Sequence, residues 1–557
     1  MVSSVGVGVD DKRLEGIYQA ALGRRERRER LRREAPLVRL WDGDWNLRGR
    51  VKGEYSSSFE WKLNDTGAGQ IDLPYDHHLA RWAGEYWNRK KQNIHVTVDK
   101  DGARWSGRCR EVTTTMDAAG VRTVTLHFLH DYEELKHISV WPNPFTPAVV
   151  QFPKIFMLAG PSITVLKIAL FLNLFRLQGN LWRLPDDPLS FKGWTQGLNY
   201  KEWPILVKPS SVVLDDSQWT VIASRMKTWH DMAQVTLGDG QLAVECRRWL
   251  PGDEQPWFGA GLYRPGQLVV DIVDKSGWWS QTAVGGTIAG GLVRTGLTVA
   301  DNLVDEARFA LEQVSESPEY GVSGFLGVSP KNPWVVYRTE GEQRTAETTS
   351  FTWKPATVGQ ITVGGKSMPG VNEGISAAVQ LSFDTMANFL FLPAAGGAVD
   401  SLLKPLYEDV LMAFMSLKSP LRTMSLGWSH YYEDFSEGSS SAWTLSAIIA
   451  LRTGFYNTRQ QTSHSFTVGD GAPYLIGDKG QGHFFLGDRV GAEVPGARAG
   501  RVVVDQCTGL RLSWDASKPH EWEITIGQAT SVVDDPLAHA LERIKDMNKN
   551  LHDLGVF

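Results

Sequence analysis

The sequence predicts an α+β, β-rich fold of antiparallel β-barrel or sandwich domains, with connecting helices and a C-terminal amphipathic helix. Three observations predict it. Apolar and polar residues alternate in short runs through both ends of the chain. Tight-turn signals such as Asp42-Gly43 and Asp101-Gly102, and the glycine-rich stretch GAPYLIGDKGQG, cut those runs. Tryptophan (22) and glycine (55) are both abundant, which suits strand-rich modules on tight turns and large interfaces anchored by Trp.

The length of 557 residues implies about three to four domains. The pattern divides into a basic helical arm (1–35), an N-terminal β-barrel-like domain (36–150), and a helical connector with a Trp-rich mixed α/β domain (151–330). A mixed strand and helix segment (331–422), a C-terminal β-module (423–535) and a C-terminal helix (536–557) follow. A net charge of −5 argues against a surface given over wholly to nucleic acid. Cys109, Cys246 and Cys507 stand far apart, without CxxC spacing, so folding in a reducing cytosol is expected. The first residues lack the charged and apolar regions of a secretory signal.

Residues 11–34 read as a helix with Leu14, Ile17, Tyr18 and Leu22 on one stripe, ending in RRERRERLRREA. Arg24, Arg25, Arg27 and Arg28 are candidate interface residues of an arm that docks on an acidic neighbour or touches DNA. The plainer reading, a solvated helix with pairs such as Arg25–Glu29 and Glu26–Arg30, is favoured, because one short helix offers few phosphate contacts.

From Pro36 the period changes to two. LVRLWDGDWNLRGRV is a hairpin turned at Asp42-Gly43, and SSFEWKLNDTGAGQIDLP gives two strands. A short helix falls near Asp76–Tyr86, and three strands fill residues 93–129. About seven antiparallel strands are closed most economically as a barrel or sandwich. GPSITVLKIALFLNLFRLQ is the most apolar run, but it is short for a membrane span and carries Lys167, Asn173 and Arg176. A buried connecting helix with Pro161 at its first position is expected. Residues 185–280 hold Trp194, Trp203, Trp219, Trp229, Trp249, Trp257, Trp278 and Trp279, bulky surfaces expected to be buried in assembly.

Residues 283–314 begin with a Gly-rich loop (283–291), either membrane-active or a flexible surface loop, and become an amphipathic helix. Strands are expected near Pro333–Arg338 and Ser350–Val363, then helices at about Val399–Leu417 and Ser441–Tyr456. At the end, Leu537, Leu541, Ile544, Met547 and Leu551 recur at steps of 4, 3, 3 and 4, close to a coiled-coil seam. Leu537, Leu541, Ile544 and Leu551 are candidate interface residues, either between subunits or against the chain's own domain.

Motifs for chemistry fail on spacing. GQITVGGKS has five residues where a phosphate loop needs four before Gly-Lys-Ser, and Pro369 would interrupt the helix that must follow. Asp42-Gly43-Asp44-Trp45-Asn46 begins like a calcium loop, but Leu47 replaces the obligatory Gly. His77 and His78, adjacent on a helix, would point to different faces; His483 reads as a packed or interface histidine. Ser463, His464 and Ser465 alternate sides of a strand, so they form no dyad. Asp215-Asp216 and Glu433-Asp434 read as loop residues. No catalytic residue, cofactor or metal site is expected.

GAPYLIGDKGQGHFFLGDRV (Gly471 to Val490) and EWEITIGQATSVVDDPLAHAL (Glu521 to Leu541) resemble the C-terminal part of minor tail proteins of long-tailed actinobacteriophages, the siphovirus tail hub family. VRLWDGDWNLRGRV followed by GAGQIDLP, and the central FPKIFMLAGPSITVLKIALFLNL, carry the same resemblance. The resemblance implies a structural virion protein at the tail tip, assembled in the host cytoplasm as a homotrimeric ring of hub domains. Its implied partners are the distal tail protein, the tape measure protein and other minor tail proteins, with genomic DNA in transit and host envelope during ejection. The runner-up is a peripheral receptor- or carbohydrate-binding tip protein with exposed Trp as stacking platforms. A tail-associated cell-wall hydrolase is the third reading.

Overall fold

The structure, a computed structural model, describes residues 11–179, 184–189, 199–211, 215–275, 335–339, 344–364, 414–435, 461–469, 471–479, 482–496 and 502–527, with isolated positions between. The described part opens with helix α1 (Asp11–Arg33) and the hairpin β1 (Leu37–Asp42) and β2 (Leu47–Arg50). Strands β3 (Ser56–Lys62) and β4 (Ala68–Pro74) precede helix α2 (His78–Gly84), and β5 (Ile94–Lys100), β6 (Ala103–Met116) and β7 (Arg122–His130) follow it. The middle holds α3 (Glu133–Lys136), β8 (Phe156–Pro161), α4 (Ser162–Gln178), β9 (Ile205–Val207), β10 (Trp219–Ser224), α5 (Trp229–Asp239), β11 (Leu242–Trp249) and β12 (Gln267–Asp274). Next come β13 (Val336–Tyr337), β14 (Thr348–Lys354), β15 (Val358–Gly364), β16 (Phe414–Lys418), α6 (Pro420–Leu426) and β17 (Tyr431–Phe435). The last strands are β18 (Gln461–Gly469), β19 (Arg489–Glu493), β20 (Val502–Asp515) and β21 (Glu521–Gly527).

The seven N-terminal strands form where alternation placed them, and β3 shows why. Phe59 and Trp61 point inward while Ser58 and Glu60 stay partly exposed, the period-two signature of a sheet with one covered face. The β1–β2 turn is made by Asp42, whose carboxylate accepts from the Asp44 and Asn46 amides (3.0 and 2.9 Å) and from Arg48 Nη2 (2.6 Å). The aspartate that imitates a calcium ligand in sequence is consumed by its own turn.

The two ends of the chain share one sheet. Thirteen strands join in the order β14-β18-β21-β20-β3-β4-β7-β6-β5-β1-β2, with β19 on β20 and β13 on β19. The link is antiparallel pairing of β20 with β3, from Gly509 opposite Lys62 to Asp515 opposite Ser56. A single apolar core runs beneath both halves, and Trp61 packs against Trp522 with ring centroids 5.4 Å apart.

A second core is built on α4. Its apolar residues Leu166, Leu170 and Leu174 are buried with Trp203, Trp229, Leu268 and Val270. Pro161 is the residue before the helix, not its first. None of the described helices is long and apolar enough to cross a membrane. The polar residues of α4 explain themselves: buried Lys167 donates to Asp271 Oδ1 (2.7 Å), and Asn173 accepts from the Trp141 amide (3.0 Å). Asp215 lies in the loop before β10, as expected, but with a structural task. It is buried, and Oδ2 accepts from the Thr164 amide (2.9 Å), capping the first turn of α4 from another segment.

The tryptophans of this region are largely spent internally. Trp203 and Trp229 are core residues and Trp249 and Trp257 are packed against the same core, so they offer little to an assembly surface; Trp219 of β10 is exposed, and Trp194, Trp278 and Trp279 lie outside the described residues. Large exposed aromatics stand instead on the small sheet β16-β15-β17, at Phe414, Tyr431, Tyr432 and Phe435, and at Trp428 in the bend before β17. Here two sequence expectations fail. Phe414–Lys418, assigned to a helix end, is a strand paired with β15, and Glu433-Asp434 lies in β17. The expected helices at 399–413 and 441–453, the loop at 283–291 and the C-terminal helix lie outside the described residues.

Candidate functional site

The strongest constellation of charge lies where the large sheet meets the second core. Arg248, on β11, is buried, and its Nε and Nη2 donate to Asp131 Oδ2 and Oδ1 (3.0 and 2.7 Å), while Nη1 donates to the Gly266 carbonyl (2.9 Å). Its guanidinium also lies 4.9 Å from the Trp45 ring centroid, and Trp45 in turn stacks on His95 at 4.6 Å. Gly266 has φ +81°, and a Cβ there would fall 1.9 Å from the Trp45 ring, so backbone and indole can approach only without a side chain.

Beside this stack, Arg104 of β6 donates to Asp99 (2.5 Å), to Asp253 and to the Arg248 carbonyl (2.9 Å). Arg247 pairs with Asp478 (3.1 Å) and Lys275 with Asp488 (2.9 Å), bringing the C-terminal strands into the same junction. Burial opposes the charge on Asp131, but the Arg248 pair holds its carboxyl down to about 2. Burial, reinforced by Arg248, pushes His95 down to about 3, so it is neutral at neutral pH. Bidentate geometry and a third acceptor satisfy the buried guanidinium, which is what makes such a pair tolerable. This is a clamp between bodies. The sequence hid it: Arg247-Arg248 looks like a solvated pair, and only its place in the apolar run LAVECRRW hints at burial.

The chemistry-bearing residues are scattered and mostly structural. His77 precedes α2 and its Nδ1 accepts from the Leu79 amide (3.2 Å). Because it stands outside the helix, its ring lies 4.6 Å from that of His78 and the two do not point apart. His464 is buried in β18 with Nε2 2.8 Å from Thr349 Oγ1, and burial lowers it to about 4. Ser465 reaches Glu523 from that strand (3.5 Å), so the neighbours act separately. His483 Nδ1 accepts from the Leu475 amide (2.8 Å). Gly359–Gly364 of the phosphate-loop imitation lie in β15.

A cavity of about 40 Å³ lies between Trp61, Arg104, His130, Cys246 and Asp478, room for little more than water. An open cleft of about 440 Å³ is lined by Arg108, Cys109, Arg110, Glu133, Glu134 and His137. Burial raises the Cys109 thiol to about 11, so it is not an activated nucleophile. Among the described residues no three His, Cys, Asp or Glu side chains are grouped to hold a metal, and all three cysteines are free.

The candidate interface residues Arg24, Arg25, Arg27 and Arg28 are all exposed on α1, and Arg25 pairs with Glu29 at 3.1 Å as its spacing predicts. The C-terminal end of the helix is held by hydrogen bonds among the described residues. Lys100 Nζ donates to the carbonyls of Leu31 (2.9 Å) and Arg32 (2.7 Å), and His520 Nε2 lies 3.0 Å from the Arg32 carbonyl. Leu537, Leu541, Ile544 and Leu551 lie outside the described residues.

A molecule of charged clamps, exposed edges and a projecting basic helix has the character of a structural component, and comparison with known proteins agrees. The Siphovirus ReqiPepy6 Gp37-like protein family matches residues 37–528. The chain is 36% identical to Minor tail protein Gp28 of Mycobacterium phage L5, over 97% of this chain and 98% of that protein. It is 35% identical to Minor tail protein Gp28 of Mycobacterium phage D29 over the same shares. Among solved structures it is similar to a tail protein from Neisseria meningitidis MC58, with 10% identity and a TM-score of 0.38 over 89% of this chain and 97% of that one. The chain belongs to the Siphovirus ReqiPepy6 Gp37-like family, the minor tail proteins of long-tailed actinobacteriophages.

Proposed function

We propose that the chain is the tail hub at the distal end of a long non-contractile tail. Three copies form a ring that joins the tail tube and distal tail ring to tip or receptor-binding proteins. The tape measure ends at its mouth, and the ring keeps the DNA channel closed until ejection. The observation that carries this reading is the thirteen-stranded sheet that fuses both ends of the chain over one core. Among the described residues its outermost strands, β2 and β14, are largely exposed. Two unlike open edges suit a head-to-tail contact, and such a contact repeated about an axis closes a ring. The ionic clamp would keep the second body fixed to that wall under load. An epitope inserted beside Ala119, in the exposed β6–β7 turn, tests the placement in intact particles. Antibody-gold at the distal tail end is expected, whereas labelling along the shaft or at the head would exclude a hub.

One observation favours a second reading, a receptor- or carbohydrate-binding tip protein. Strand β17 and the bend before it expose Tyr431, Tyr432 and Trp428 (93%) beside Glu433 and Asp434, stackable rings next to polar groups. Binding of the purified chain to host cell envelope would move this reading ahead.

A further inference from the structure

We propose that α1 is a docking arm for another tail protein, one whose groove has an apolar seat flanked by carboxylates. The inference rests on family membership and not on the hub placement. Twenty-three residues make a helix about 35 Å long, whose last turn is held by Lys100 and His520. Arg24 to Arg33 contains seven arginines against two glutamates, a net charge of +5 in ten residues. Nearer the N-terminal end, Ile17 and Tyr18 are 55% and 58% exposed.

At about 100° per residue, Ile17, Arg24, Arg27 and Arg28 fall within one arc of about 100°, while Glu26 and Glu29 lie toward the opposite side. The arc sets Ile17 between Arg13 and the basic run, with Tyr18 at its flank. A helix in water gains little from its own i,i+4 pair, Arg25–Glu29, so such a stripe is stabilised by what covers it. Charge selects the occupant. A second α1 would bring +5 against +5. A phosphate backbone would engage the arginines and leave Ile17 and Tyr18 without a role, whereas protein interfaces combine Tyr, Arg and apolar anchors. A lipid surface needs an apolar face along the whole helix, and here arginines interrupt it.

The test is photo-crosslinking in intact particles of the encoding phage, with p-benzoylphenylalanine in place of Ile17 or Arg24. Adducts to an Asp- or Glu-bearing peptide of a different tail protein are expected. Adducts to DNA, to another copy of this chain, or none above background would overturn the proposal. In parallel, the triple variant R24E/R27E/R28E is expected to lower plaque titre at least ~100-fold with the unfolding midpoint of the full chain unchanged, and R24K/R27K/R28K to keep most of it. An unchanged titre in the charge-reversed variant would also overturn it.

Discussion

Arg248 decides more of this structure than any other single residue. It joins β11 to Asp131 at the end of β7, supports Trp45 and fixes the carbonyl of Gly266. Removing one partner of a buried pair leaves the other charged and unsolvated, so Arg248→Ala is expected to cost about 3–5 kcal/mol in urea unfolding. A loss under ~1 kcal/mol would mean that water reaches Asp131 and that the clamp is not closed. The same cluster sets a pH response. His95 is lowered from its ordinary 6.5 to about 3, so the unfolded chain binds its proton first as pH falls. Stability is therefore full above about pH 6.5 and declines on acidification toward pH 3, by on the order of 5 kcal/mol for this group. Unfolding midpoints at pH 7 and pH 5 should show the decline, and His95→Gln should reduce it, leaving the part that the buried His130 and His464 contribute.

At the scale of elements, legibility followed the distance to each partner. Strands β1–β7 are readable because their turns carry local signals: Asp42 accepts from the amides of Asp44 and Asn46, Asn64 and Asp101 take a positive φ of 54°, and Gly102 takes φ +99°. α4 was readable from length, and Lys167 and Asn173 correctly argued against lipid. Asp215 was not readable, because the amide it caps belongs to a residue 51 positions away. Asp215→Ala is expected to cost about 1–2 kcal/mol, with Asp215→Asn recovering most of it in thermal unfolding. β16 was misread since FMSLK alternates only briefly, and it is pairing with β15 that makes it a strand. His77 and His78 were misplaced by treating a capping residue as helical.

For the whole molecule, local patterns gave the β-rich class but not the joining of the termini. Arg511 reaches Ser58 across 453 residues, and no local signal encodes that register. The candidate sites divide the same way. The arginines of α1 were visible as a charge run, whereas the clamp of Arg104, Arg248, Asp131 and Asp253 appears only when three segments meet. Fusing both ends over one core gives one sheet with two distinct edges, the property the proposed ring subunit needs. The most direct measurement is electron cryomicroscopy of the tail tip in intact particles. Three copies in a ring beneath the tube, with the thirteen-stranded sheet in the channel wall, is the expected result. Peripheral copies, away from the axis and carrying the Trp428–Phe435 surface outward, would contradict the hub.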